Sequence, residues 1–262
     1  MSNGSTLPET DVPRLSRWLQ WRIFVRSLAL QGSWNGQRMQ NLGLLVTFFP
    51  WLRRQHWDIN RDRLFCRRYF EYFNTNPYLA NLLIGGLIRL ETEHAARGED
   101  PTLMARRFRD SLCRAFASLG DQLFWLGLRP ALTMALCLLG MYGLIKPIFL
   151  IVAVFAALQL FLRFWALGRS YELGLDIVDL INHPHWHRAI SWTKRAAMVL
   201  TGAVAGRYLS SVGNWDFMAG KGLLWVGMAL GIGLPLILRR RLPGEALLGL
   251  ALGLALLLSF AI

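Results

Sequence analysis

From Ala131 to its end the sequence consists of long apolar runs, and a chain so composed has few folds open to it. The runs lie near Ala131 to Ile145, Pro147 to Leu167, Ala196 to Val212, Gly222 to Leu238 and Ala246 to Ile262. A helix needs about twenty apolar residues to cross a bilayer core, and a backbone entering lipid must satisfy its own hydrogen bonds. These runs therefore predict about five transmembrane helices in the segment 131–262. The first is short, and Lys146-Pro147 reads as a tight hairpin. Between the second and third runs lie residues 168–195, with Arg169, Arg188, Lys194 and Arg195, and between the fourth and fifth lie residues 239–245, with three consecutive arginines. The loop from Gly213 to Lys221 has one lysine and one aspartate. The bias of basic loops toward the cytoplasm places 168–195 and 239–245 inside and the C-terminus outside.

Composition agrees. The 262 residues are 54% hydrophobic, include 11 Trp and carry a formal net charge of +13, with a mean hydropathy of +0.33. That combination excludes an ordinary soluble domain and fits a membrane protein with basic cytoplasmic parts. It also sets nucleic acid aside as a partner, because the positive charge is scattered around apolar spans and forms no basic stripe. Cys66, Cys113 and Cys137 lie far apart, which argues against a disulfide framework and a thiolate metal site. Residues 1–13 are polar, with Glu9 and Asp11 where an export signal would need an apolar run, and are expected to be a disordered cytoplasmic tail.

The N-terminal half is of another kind. Residues 14–30 place Trp18, Trp21, Val25 and Leu28 about one helical turn apart with arginines between them, which predicts a basic amphipathic helix on the cytoplasmic membrane surface or against a partner subunit. The run from Gln31 to Gly43 follows, polar and glycine-rich between apolar flanks. Its amides at Gln31, Asn35, Gln37, Gln40 and Asn41 suit a neutral, hydroxyl-rich ligand or contacts between packed segments. The plainest reading is a helix start capped by Ser33.

Leu44 to Leu52 is too short to span, and Pro50 should end it, as in a re-entrant segment. Asp58 or Asn60 can cap a helix through about Phe73. Pro77 then disfavours helix at Asn76 and forces a break before a second helix from Tyr78 to about Ala96. Gly98-Glu99-Asp100-Pro101 stops that helix and starts another, amphipathic and not spanning, with Met104, Phe108, Leu112 and Phe116 on one side. The region 31–130 thus reads as re-entrant and amphipathic helices, and the whole as an all-α integral membrane protein.

Chemistry-bearing residues are sparse. His183, His185 and His187 could share one side of an extended segment and ligate a metal, but no usual ligand set completes them. Asp121 sits among apolar residues, where a carboxylate either pairs or serves function. Arg129, two helical turns on, is its candidate ion-pair partner, and a ligand-facing role is the alternative. Glu91, Asp176 and Arg169 fall nearer the cytoplasmic ends, where solvation is expected. Nothing assembles a nucleophile with a base and an orienting group, and no phosphate-binding glycine loop is present. The sequence thus predicts neither an enzyme nor a cofactor.

Three motifs resemble one family. Leu28 to Asn35 with Arg38 to Gly43, then Phe73-Asn74-Thr75-Asn76-Pro77-Tyr78, then Gly120-Asp121 with Phe124-Trp125 and Arg129-Pro130, are similar in order and spacing to the IID membrane component of mannose-family phosphotransferase sugar transporters. Gly174 to Val178 and the terminal pair of apolar spans extend the likeness over nearly the whole chain. The resemblance implies a bacterial inner-membrane subunit that pairs with a IIC subunit, usually as a trimer of heterodimers. It moves a mannose-, fructose- or sorbose-type sugar that cytoplasmic IIA and IIB proteins phosphorylate, and has no phosphorylated residue of its own. Gln31, Trp34, Asn35, Asn74 and Asp121 become candidates for the sugar path or the IIC interface. One departure stands out. The family's glycine- and proline-rich run ending Gly-Asp-Pro is replaced here by Arg114 to Gln122, which predicts a continuous helix. That change leaves room for another substrate, or for a non-transporting scaffold or sensor acting through phosphotransfer proteins.

Overall fold

The computed structural model describes residues 13–212, whose regular structure is helical apart from isolated β-bridges at Asn35, Met39 and Phe73. Nine α-helices follow one another among them: α1 (Arg17–Leu28), α2 (Asn41–Leu52), α3 (Ile59–Tyr69), α4 (Ala80–Arg97), α5 (Thr102–Gly120), α6 (Arg129–Met141), α7 (Ile145–Leu173), α8 (Ile177–Ile181) and α9 (His185–Val212). Helix ends follow local chemistry. Ser16 caps α1 by accepting from the Leu19 N–H at 3.3 Å, and Asp58 caps α3 by accepting from Arg61 at 2.8 Å, as a short side chain with a free oxygen should. Gly98, at φ +71°, ends α4 in the left-handed conformation. The Asp100 carboxylate then accepts from the Thr102 N–H at 3.1 Å and starts α5.

Two packed units emerge. The first comprises, among the described residues, Pro13–Gly120 together with Ala156–His183. Here α1 lies against α2 and against the C-terminal third of α7. The contacts to α7 run in opposite order along the two helices: Gln20 Nε2 donates to the Phe164 carbonyl at 2.8 Å, while the Tyr171 hydroxyl donates to the Pro13 carbonyl at 2.7 Å. Phe24 meets Phe164 edge-on, with centroids 5.4 Å apart. The core behind them is built from Ile23, Leu44, Phe48, Phe65, Tyr69, Leu83, Leu87 and Phe116. The second unit comprises, among the described residues, Asp121–Phe155 and Pro184–Val212. In it α6 and the residues before it pack against α9, and Lys194 Nζ donates to Gln122 Oε1 at 3.3 Å.

Several expectations are corrected. Pro50 lies inside α2 and does not end it. A proline removes the N–H that would bond the carbonyl four residues back, and here Arg26 Nη1 donates to that carbonyl, Val46, at 3.4 Å. Ser33 caps nothing, because residues 31–40 form turns and α2 begins at Asn41. Helix α3 ends at Tyr69, short of Phe73.

The amphipathic helix α5 does not stop. It continues through a π-helical stretch, Asp121–Leu128, into α6, giving one helical run Thr102–Met141. Residues 168–195, read as a loop, are mostly helical, divided among α7, a 3-10 turn at Gly174–Asp176, α8 and the start of α9. Among the described residues two helical segments are long and apolar enough to cross a membrane, Thr102–Met141 and Ile145–Ile181. The run Ala196 to Val212 belongs to the longer and more polar α9. The runs Gly222 to Leu238 and Ala246 to Ile262, the loop 239–245 and residues 1–12 lie outside the described residues.

Candidate functional site

The amide-rich stretch folds by satisfying itself. Asn35 and Met39 exchange backbone bonds at 3.1 and 2.9 Å. The Asn35 side chain accepts from the Arg38 N–H at 2.8 Å and donates to the Met39 carbonyl at 3.3 Å and to Asn41 Oδ1 at 3.1 Å. Those bonds hold Met39 at φ +56°, a left-handed conformation that costs a side-chain-bearing residue about 1–2 kcal/mol.

The same stretch is fastened to the second motif. Gln40 donates its backbone N–H to Phe73 at 2.8 Å, and Phe73 donates to the Arg38 carbonyl at 3.3 Å. Asn41 Nδ2 donates to the Phe70 carbonyl at 2.9 Å. The Gln40 carboxamide takes both backbone groups of Thr75, at 3.0 and 3.2 Å.

The second motif in turn meets the third. The Thr75 hydroxyl donates to the Cys113 carbonyl at 3.3 Å. Asn76 Oδ1 accepts from the Tyr78 N–H at 3.0 Å, and the Asn76 carbonyl receives the Leu79 and Ala80 N–H groups that open α4. Gly120 presses on Asn76 so closely that a Cβ there would lie 2.3 Å from the Asn76 Cβ. At the other end, a Cβ on Gly43 would lie 2.0 Å from the Leu30 carbonyl oxygen. Three segments far apart in sequence thus form one seam of interlocked amides, closed at each end by a glycine where no side chain fits.

The residues singled out from the sequence fall in different places. Asn35 is half-buried and organises the turn. Gln31 and Asn74 are exposed, and Trp34 is 56% exposed, so all three present their side chains outward from the seam. Asp121, exposed, follows Gly120 directly and opens the π-helical stretch, an insertion that often marks functional positions. The Arg129 guanidinium, expected to pair with Asp121, covers the Trp125 ring at 4.3 Å. His185 and His187 occupy the first turn of α9, where alternate positions point about 200° apart. The extended arrangement that would aim them at one ion is absent there, and no group of three metal-ligating side chains occurs among the described residues.

Thr75, Asn76 and Gly120 carry the seam without being singled out from the sequence, together with Gln40 and Asn41, which the sequence marks only as members of the amide-rich stretch. Their signal was present, since all five lie within the motifs. What could not be read was which amides face inward.

A second cluster ties α3, α4 and α5 together. Arg68 pairs with Glu91, reaches Asp100 at 3.0 Å, and donates to the Thr102 hydroxyl at 3.1 Å. The Tyr69 hydroxyl donates to Glu91 at 2.7 Å. Arg109 reaches the Arg68 carbonyl at 2.7 Å, Glu71 at 2.8 Å and Asp110 at 2.9 Å. Glu91 is only 2% exposed, which corrects the expectation that solvent bathes it. Burial, and then the neighbouring Glu91 carboxylate, push the Tyr69 hydroxyl well above its ordinary pKa. The Thr102 hydroxyl holds the Asp100 carboxyl below its own. These are charges joined for architecture, with all three guanidinium nitrogens of Arg68 and of Arg109 donating within the cluster.

Two described helical segments are long and apolar enough to cross a membrane and leave most of that apolar surface unburied, as an all-α membrane protein would. The family model described as PTS system mannose/fructose/sorbose family IID component matches residues 14–231, and the chain belongs to that family. It is 32% identical over 157 residues to the PTS system mannose-specific EIID component of Escherichia coli (strain K12), covering 60% of this chain and 56% of that protein. It is 27% identical over 167 residues to the Fructose permease IID component of Bacillus subtilis (strain 168), covering 63% and 60%. The chain thus spans a little over half the length of the curated relatives it matches.

Among solved structures it resembles a chain of the mannose transporter ManYZ in complex with microcin E492, with a TM-score of 0.58 and 23% identity over 95% of this chain and 96% of that one. A structure described only as a membrane protein gives a TM-score of 0.68 and 24% identity over 93% and 97%. Both likenesses show the fold.

Proposed function

We propose that this chain is the IID subunit of a sugar phosphotransferase permease. In this reading it pairs with a IIC subunit in a bacterial inner membrane, as a trimer of heterodimers. The pair moves a mannose-, fructose- or sorbose-type sugar inward while IIA and IIB proteins phosphorylate it, and the IID chain performs no phosphoryl transfer itself. The N-terminus is cytoplasmic and the C-terminus lies on the far side. The carrying observation is the seam: the three family motifs close on one another through Gln40, Thr75, Asn76 and Gly120, and leave Gln31, Trp34 and Asn74 outward. Those exposed groups are donors and acceptors without charge, suited to sugar hydroxyls or to amides of a partner helix.

One observation favours a second reading, a scaffold or sensor that does not transport. The helix is continuous from Thr102 to Met141, across the place where the family carries helix-breaking residues. Sugar uptake separates the two. In a strain supplying IIA, IIB and IIC, adding this chain should restore uptake of a mannose-type sugar, and unchanged uptake across the three sugar types would leave the scaffold reading.

A further inference from the structure

Of the two described segments long and apolar enough to cross a membrane, the one that contains α7 is the more apolar, and one charge stands on its inner face. Arg163 lies between Lys146 and Arg169, the charges that bound the apolar run, six residues before the second, or about 9 Å along the axis. Its Nη2 donates to the Ser27 carbonyl at 2.9 Å. Its own carbonyl accepts from Asn81 Nδ2 at 2.9 Å, and the Tyr78 phenol is close enough to act on it electrostatically. These partners are neutral. No carboxylate lies within ion-pairing distance of Arg163 among the described residues.

The polar atoms around it are also under-used. Arg163 Nε and Asn81 Oδ1 are buried with no hydrogen-bond partner, and Gln159, one turn earlier on the same face, is buried as well. Native proteins rarely leave such groups unpaired, and a cation inside a membrane segment is retained where something compensates it.

Two kinds of anion could do so. A lipid phosphate would sit at the level of Arg169, toward the C-terminal end of α7. Side chains on an α-helix lean toward its N-terminus, so Arg163 leans toward Gln159, away from that layer and deeper into the apolar run. A carboxylate borne on another membrane helix can meet it there. Arg163 as a residue is only partly buried although its Nε is enclosed, and Leu160, Phe161 and Leu162 beside it are exposed.

We propose that Arg163 is the docking cation for an acidic side chain on a membrane helix of the partner subunit, which completes the polar cluster of Arg163, Asn81 and Gln159. A guanidinium and a carboxylate match in geometry, and their hydrogen bonds strengthen out of water. The cluster adjoins the first two motifs through Ser27 and Tyr78, so the ion pair would fix that end of the seam against the partner. This inference rests on the reading that the chain pairs with a IIC subunit.

The test co-expresses tagged chain with its IIC subunit and measures IIC recovered per chain after mild detergent extraction. Wild type should retain IIC. Arg163→Gln should lower recovery about tenfold or more, Arg163→Lys should retain most of it, and Arg163→Glu should be rescued by an acid-to-lysine change in a membrane segment of IIC. Failure of wild type to retain IIC would remove the pairing reading itself. Retention by wild type with equal retention by Arg163→Gln would overturn the docking role alone. Arg163→Gln is also expressed without IIC, and an equal loss of chain from the membrane there would assign Arg163 an intramolecular role and likewise overturn the proposal. So would the absence of any rescuing acid change.

Discussion

Gln40 and Thr75, 35 residues apart, are joined through both ends of one carboxamide: Nε2 donates to the Thr75 carbonyl at 3.0 Å and Oε1 accepts from the Thr75 N–H at 3.2 Å. Both residues are buried. A side chain here does what a neighbouring strand does in a sheet, satisfying a buried backbone that belongs to no helix.

Replacing Gln40 should therefore be costly. Gln40→Ala leaves both backbone groups of Thr75 without a partner, at about 1–3 kcal/mol for each. A drop in the melting temperature of the detergent-solubilised protein is expected. Gln40→Glu, which keeps the acceptor and loses the donor, should be no better, because it buries a charge facing a carbonyl. A melting curve unchanged by both would show that the bonds carry no stability.

Gly120 has no room for a methyl group. With Asn76 Cβ 2.3 Å from where a Cβ would stand, Gly120→Ala must push the second motif away, and overpacking of this kind costs about 1–3 kcal/mol. Limited proteolysis should show earlier cleavage around Asn74 to Tyr78 than in wild type. Identical cleavage would mean that the seam yields at no cost.

The ion cluster should respond asymmetrically. Glu91→Ala leaves Arg68 with the exposed Asp100 as its one remaining carboxylate, and breaking a buried pair costs up to about 3–5 kcal/mol. Glu91→Gln keeps an acceptor for the Tyr69 hydroxyl and for Arg68, so it should fall between alanine and wild type. Equal losses for the two variants would assign the position to packing.

Pro50 and Arg26 should be coupled. Arg26→Ala removes the donor that serves the Val46 carbonyl, for a loss of no more than about 1 kcal/mol. With Pro50→Ala the helix can supply its own N–H to that carbonyl, and the Arg26 change should then cost nothing. A double-mutant cycle measures this directly, and additive losses would show that Arg26 acts elsewhere.

The outward positions should report on transport. Asn74→Ala and Asp121→Asn are expected to lower sugar uptake severalfold while leaving the amount of assembled complex unchanged. Parallel measurement of uptake and of complex in the membrane separates the two, and a loss that tracks complex would make both residues structural.

Much of the local architecture was legible in the residues. Asp58 caps α3, Asn76-Pro77 breaks the chain before α4, and Gly98 ends it, because capping, proline sterics and left-handed glycine act within a few residues. The loss of prolines and glycines before Asp121 likewise predicted unbroken helix over Arg114 to Gln122, as found, but not that this helix joins α6 in one run from Thr102 to Met141. The basic stretch 168–195 misled. Charge is no mark of a loop there, because a helix carries arginines as easily when one face remains solvated.

The candidate residues show the same division. Composition located the amide-rich motifs but ranked Gln31 and Asn35 with Gln40, although one is exposed, one closes a turn and one is sealed inside. Glu91 and Arg163 were passed over for a related reason. A charge's surroundings depend on helices that arrive from elsewhere in the chain, and no spacing within α4 or α7 records them.

The sequence by itself determined the class of fold, the family and the positions of most helix ends, since these follow from hydropathy, from local backbone chemistry and from motifs in fixed order. Only the tertiary structure decided that Gln40 grips Thr75, that Gly120 rests on Asn76 and that Arg163 lacks a carboxylate among the described residues. Those facts are set by contacts between residues 35 or more positions apart, and such contacts depend on how whole helices pack, which no local pattern encodes.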